Sequence, residues 1–172
     1  ICLHPDVNED ANATLKNITT LLYAAKKSKE KFVLLYPNND KFSEIIMKEV
    51  IKLKQDKQFR VIASMRFEYY LTLLKYAKFI IGNSSSGVRE APVYGTKTIN
   101  LGNRQNNRTN NKKIINLDFN SKKIVKVIKN TKNNKLRKSI IFGDGKSSKK
   151  FIEILLSKKI WKTSKQKAFK VI

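Results

Sequence analysis

The chain holds one cysteine, one histidine and one tryptophan among its 172 residues: Cys2, His4 and Trp161. A single cysteine excludes an internal disulfide and any cysteine-based zinc site, and no cluster of ligands exists for another metal, so neither metal nor cofactor is expected. Acidic residues are also scarce, with 13 Asp plus Glu against 37 Lys plus Arg and a formal net charge of +24. Such a surplus ordinarily raises a nucleic-acid or membrane partner. Here the lysines run through every segment instead of forming one stripe, and they accompany heavy Asn and Ile usage, so they read as a solvated basic surface. No recognised RNA- or DNA-binding motif accompanies the charge, and a basic nucleic-acid-binding module stands only as the alternative. No apolar run approaches the ~20 residues that span a bilayer, so no membrane partner is expected and the cytoplasm is the default compartment. The first residue is Ile1 rather than Met, and Ile1-Cys2-Leu3-His4-Pro5 looks like a strand already under way, from which the sequence is expected to begin inside a longer protein.

What is present alternates regularly. Asp10 can cap a helix with Leu15, Ile18, Thr19, Leu22 and Ala25 on one face, ending near Ser28. A strand from Phe32 to Tyr36 follows, then the turn Pro37-Asn38-Asn39-Asp40, then a helix carrying Phe42, Ile45, Ile46, Glu49, Val50 and Leu53. Strands are expected at Phe59 to Ala63, Phe79 to Ile81, Thr96 to Leu101 and Lys113 to Leu117. Helices are expected at Phe67 to Ala77, Val88 to Tyr94, Ser121 to Lys129 and Ser147 to Leu156. Short strands alternating with helices imply crossover connections and a mostly parallel sheet covered on both faces. The length suits one domain, 1–157, with a basic tail, 158–172, that packs on a missing domain or frays.

The stretch Gly82-Asn83-Ser84-Ser85-Ser86-Gly87-Val88-Arg89-Glu90-Ala91-Pro92 carries the chemistry. An apolar strand breaks at a glycine into small polar residues and becomes a helix, so hydroxyls and backbone N–H groups gather at a helix start, which suits a phosphate. After the next strand, Gly102-Asn103-Arg104-Gln105-Asn106-Asn107-Arg108 adds two arginines able to hold phosphate in bidentate fashion. In a parallel sheet these two strand ends lie side by side on the ligand-binding edge. The Tyr69-Tyr70 pair reads as packing.

These two stretches, with Gly95 between them, resemble the signature of UDP-N-acetylglucosamine 2-epimerases. The Gly-x-Arg-Gln-x-x-Arg form and Ser64-Met65-Arg66-Phe67-Glu68-Tyr69 resemble the hydrolysing branch, and supporting matches run from His4-Pro5 through Pro37-Asn38 to Gly143-Asp144-Gly145-Lys146-Ser147-Ser148. The resemblance implies the C-terminal, Rossmann-like half of a glycosyltransferase B type fold, with the nucleotide sugar bound against an N-terminal domain. It also implies an oligomer in the full protein and a place in sialic-acid-type pathways. It assigns Ser84 and Ser85 to the diphosphate, Arg108 and Arg104 to phosphate, Glu90 to the ribose hydroxyls and Asn38 to a loop near the nucleotide. His4 becomes a catalytic residue facing the diphosphate. The implied reaction converts UDP-N-acetylglucosamine and water to N-acetylmannosamine and UDP, with the acid and base supplied by the missing domain and this half inactive alone. A relative acting on another UDP-linked acetamido sugar is the alternative within the family.

Overall fold

The computed structural model describes residues 1–164 and 166. They form two compact units, the first of residues 1–139 and the second beginning at Ile140. The division falls after Ser139.

In the first unit, strands β1 (Phe32–Leu35) and β2 (Phe59–Ile62) pair in parallel, as do β3 (Phe79–Gly82), β4 (Lys97–Leu101) and β5 (Ile115–Leu117) in the order β3-β4-β5. The opening residues join these two pieces. Cys2 N–H donates to the Ile81 carbonyl and Leu35 N–H to the Ile1 carbonyl, at 3.0 and 3.2 Å, with a parallel bridge between Cys2 and Gly82. The spatial order is therefore β2, β1, the opening segment, β3, β4, β5. Counted along the chain, that is 3-2-1-4-5-6, the doubly wound order of dinucleotide-binding folds. The strand order reverses between His4, which follows the opening segment, and Asn83, which follows β3.

Alternation along the strands covers both faces. Leu3, Leu34, Ile81, Ile99 and Leu101 enter a core shared with α1 (Ala11–Ser28), α2 (Ser43–Ile51) and α5 (Ser121–Asn130), whereas their neighbours Cys2 and Ile80 pack with Leu74 of α3 (Phe67–Tyr76) and with Ala91. Each large side chain buried there contributes about 1.5 to 3 kcal/mol. Helix α1 starts where expected, because an Asp10 carboxylate oxygen accepts from the Ala13 N–H at 2.7 Å, and it ends at Lys29 in the left-handed region. Its buried face is Thr14, Ile18, Leu21, Leu22, Ala24, Ala25 and Ser28. Leu15 and Thr19, expected on that face, are exposed.

The helix expected from Val88 to Tyr94 is two pieces. Ser84 caps a single turn, α4 (Ser85–Val88), and a 3-10 turn follows at Ala91–Tyr94, with Pro92 at its start. The break falls where the Pro92 ring lacks an N–H to continue the helix. In the second unit, α6 (Ser147–Leu156) and α7 (Lys158–Trp161) form, and the Trp161 indole donates to the Leu155 carbonyl at 2.8 Å. The rest of the expected tail, 165 and 167–172, lies outside the described residues. No described helix is long and apolar enough to cross a membrane.

Candidate functional site

A cleft of about 390 Å³ opens at the carboxyl ends of the strands, lined by residues that follow the opening segment, β1, β2 and β3. His4, Asn38, Ser84, Ser85 and Glu90 all line it. Five residues spread over 87 positions of sequence meet because parallel strands deliver their carboxyl ends to one edge. Tyr36, Pro37, Ala63, Met65, Phe67 and Tyr70 add largely apolar surface to the lining.

Each polar group has a definite state. The Nδ1 of His4 accepts the Asn38 backbone N–H at 3.1 Å, which fixes the neutral ring as the tautomer protonated at Nε2. Burial, then the positive charge of Arg104, holds His4 below the ordinary histidine range. The Ser84 hydroxyl accepts from the Ser86 N–H at 3.3 Å and keeps its own proton for a partner in the cleft. Ser86 also lines the cleft, and its hydroxyl is engaged by the Tyr70 hydroxyl. Burial pushes the Tyr70 phenol up to about 12, so it stays protonated. Glu90 ends the loop with its Oε2 inaccessible and without a hydrogen-bond partner. An unpaired buried acceptor costs roughly 1 to 3 kcal/mol, a cost relieved if the Glu90 side chain, which lines the cleft, turns this oxygen to a donor there.

The two arginines part company. Arg104 lies beside the cleft, donating to the Asn83 carbonyl and to the Asp40 carboxylate, both at 3.4 Å. Arg108 is exposed, outside the cleft lining, on a turn held by its N–H to the Gln105 carbonyl at 3.3 Å. Three residues escaped the sequence reading. Asn83 clasps the His4 backbone, Gln105 donates to the Asn83 carbonyl at 2.7 Å, and Tyr70 is a cleft residue as well as a packing one. The doublet Tyr69-Tyr70 was the only signal for the last. Among the described residues no group of three or more His, Cys, Asp or Glu could hold a metal ion.

Comparison with known proteins bears on this cleft. The family model described as UDP-N-acetylglucosamine 2-epimerase matches residues 1–156. The UDP-N-acetylglucosamine 2-epimerase of Neisseria meningitidis serogroup B is 38% identical over 170 residues, which cover 96% of this chain and 45% of the relative. A UDP-N,N'-diacetylbacillosamine 2-epimerase (hydrolyzing) of Legionella pneumophila is 27% identical over 159 residues, covering 90% of this chain and 42% of the relative. The crystal structure of the Methanocaldococcus jannaschii UDP-GlcNAc 2-epimerase in complex with UDP-GlcNAc and UDP shares the fold. Its TM-score is 0.60 at 21% identity, over 81% of this chain and 40% of that one. The chain thus spans less than half the length of these relatives.

Proposed function

The chain belongs to the UDP-N-acetylglucosamine 2-epimerase family, and from that premise we propose that it is the UDP-sugar-binding half of a hydrolysing, cytoplasmic member. The observation that carries this reading is the pairing, in one cleft, of a serine turn with the partnerless carboxylate oxygen of Glu90. Ser84 and Ser85 would donate to the diphosphate, and Glu90 would accept the ribose hydroxyls. Arg104 supplies positive charge from the cleft's edge and Arg108 from the exposed turn. The hydrolysing assignment rests on the Arg104-Gln105 and Arg108 spacing and on similarity to hydrolysing relatives such as that from Legionella.

In the proposed reaction the C2 proton leaves, its electron pair forms the C1–C2 double bond, and the C1–O bond to UDP breaks. Water then adds across that double bond with inversion at C2. This chain serves the departure of UDP. Its serines and arginine meet the charge growing on the diphosphate, and the Nε2–H of neutral His4, which meets the weak acceptor Cys2 Sγ at 3.7 Å in the free chain, can donate to a diphosphate oxygen in its place. Proton removal at C2 needs a further acid and base. Among the described residues Glu90 is the only carboxylate lining the cleft, and it is committed to the ribose, so on this reading those groups come from outside the chain and the chain alone is inactive.

Calorimetry with the 172-residue chain tests the reading. UDP should bind in preference to free N-acetylglucosamine, and UDP-N-acetylglucosamine should bind without releasing UDP. Equal or sugar-selective binding removes the site assignment. Arg108→Lys, which keeps charge but loses the guanidinium fork, reads whether the exposed turn closes on phosphate.

A further inference from the structure

The carboxyl edge of the sheet carries a closed ring of hydrogen bonds, and the geometry points to Asn83 as the positioning residue that holds it. Its side chain reads both backbone polar groups of His4: Oδ1 accepts the His4 N–H and Nδ2 donates to the His4 carbonyl, each at 2.8 Å. Its own carbonyl accepts from Gln105 Nε2 at 2.7 Å and from Arg104 at 3.4 Å. Arg104 continues to the Asp40 carboxylate, Asp40 accepts from the Asn38 amide at 2.6 Å, and the Asn38 backbone N–H returns to His4 Nδ1. The ring joins the segments after the opening strand, β1, β3 and β4.

Chemistry leaves Asn83 little freedom. The clasp needs one donor and one acceptor on a short planar group, so an amide fits where a carboxylate or hydroxyl would satisfy half of it. Asn83 and Gln105 are both about 4% exposed, which excludes water as a ready substitute. Gln105 is oriented too, because turning its amide over would set Oε1 against the Asn83 carbonyl, acceptor against acceptor. The Gln105 Oε1 that results is buried and partnerless, a cost accepted in order to pin Asn83. Asn83 touches no reacting atom. It acts by fixing where His4 stands relative to Ser84, the next residue, and so sets the distance between the proposed leaving-group donor and the diphosphate turn. This role rests on the nucleotide-site reading above.

The lone histidine makes the test direct, since the imidazole ¹⁵N spectrum of the whole chain reports on His4 alone. In ligand-free protein the Nε2-protonated tautomer should dominate. In Asn83→Ala the ring should move towards the tautomer mixture of free imidazole, and UDP affinity should fall about tenfold or more, the loss expected when a clasp of this kind goes. Gln105→Leu, which leaves the clasp intact but frees its carbonyl, should shift both readouts in the same direction by less. Gln58→Leu, which removes a comparable amide far from the cleft, should lower the melting temperature and leave both unchanged. A folded Asn83→Ala with unchanged His4 signals and UDP affinity overturns the proposal. Should that variant not fold, an unchanged Gln105→Leu overturns it. If the unaltered chain fails to bind UDP, the nucleotide reading falls, while the ligand-free ¹⁵N comparison still decides the role of Asn83.

Discussion

The two edges of the sheet are built from the same polar residue types and use them differently. At the amino edge, the Gln58 amide donates to the carbonyls of Ala25 and Glu30, at 2.8 and 2.7 Å, and Lys78 meets Glu30 at 2.6 Å. Lys135 donates to Ala77 and Thr96, and Lys97 to Lys132 and Asn134. These groups are closed upon one another, and their chemistry is spent on holding strand starts. At the carboxyl edge the ring around Asn83 is just as connected, yet the two buried side-chain oxygens without partners among the described residues, those of Glu90 and Gln105, both sit there. Only that of Glu90 belongs to a residue lining the cleft, the acceptor the proposed function gives to a ligand, whereas that of Gln105 follows from the orientation that pins Asn83.

The change that should erase the difference is Gly82→Ala. Gly82 has φ +137°, a conformation side chains rarely adopt, and an added Cβ would lie 2.0 Å from the Cys2 carbonyl oxygen. Backbone faces backbone there, so nothing can swing aside. The opening segment should be levered off β3, costing on the order of 3 to 5 kcal/mol of stability, and UDP binding should be lost with it. Urea denaturation of this variant checks the claim. A midpoint close to that of the parent would show that the opening segment does not join the two halves of the sheet.

Glu90→Gln should affect binding alone. It keeps shape and weakens acceptance from the ribose hydroxyls, so UDP affinity should fall by about 1 to 3 kcal/mol. Inorganic diphosphate should bind as before or slightly better. Titrating both ligands decides whether the cleft has separate phosphate and ribose ends, because equal losses would merge them. The converse experiment belongs to the amino edge. Gln58→Leu forfeits two hydrogen bonds to backbone carbonyls and should cost about 1 to 2 kcal/mol of stability, with UDP affinity untouched. A drop in affinity there would mean that the two edges are coupled.

The sequence was most legible where one residue controls local backbone geometry. Asp10 predicted the start of α1, and Gly82 predicted the end of β3, because a cap and a glycine act on their own neighbours. The helical stripe of α1 was drawn one position off at Leu15 and Thr19. A window of spaced apolar residues does not say that the small residues Ala24 and Ser28 face inward, a fact set by the close approach of α2 and α5. In the site, the serines and Glu90 were legible as a type of loop. Asn83 and Gln105 were not, because their work is side chain to backbone over separations of 79 and 22 residues, which no local pattern records.

The smallest effect expected lies in the pH dependence of stability, and it too separates the edges. His4 is held below its ordinary value of 6.5, first by burial and then by Arg104, with the Asp40 carboxylate opposing from the loop after β1. A folded ring that resists protonation contributes stability in full above the unfolded value of roughly 6.5. As pH falls below that, the unfolded chain takes up the proton first, and the contribution is lost on the way down to the folded value. Stability should therefore decline as pH falls through about 6.5 and below, and His4→Gln should flatten part of that decline. Glu9, raised by burial, titrates in both proteins and cancels in the difference. A bound UDP, bringing negative charge to the ring, should raise the His4 value and shrink the effect, whereas no amino-edge variant should alter it. Urea midpoints for both proteins above and below about pH 6.5, beside an NMR titration of the single ring, settle the matter. If His4 titrates at or above 6.5 in the free protein, the ring is not held neutral by its surroundings, and its part as an Nε2–H donor to a leaving diphosphate loses its physical basis.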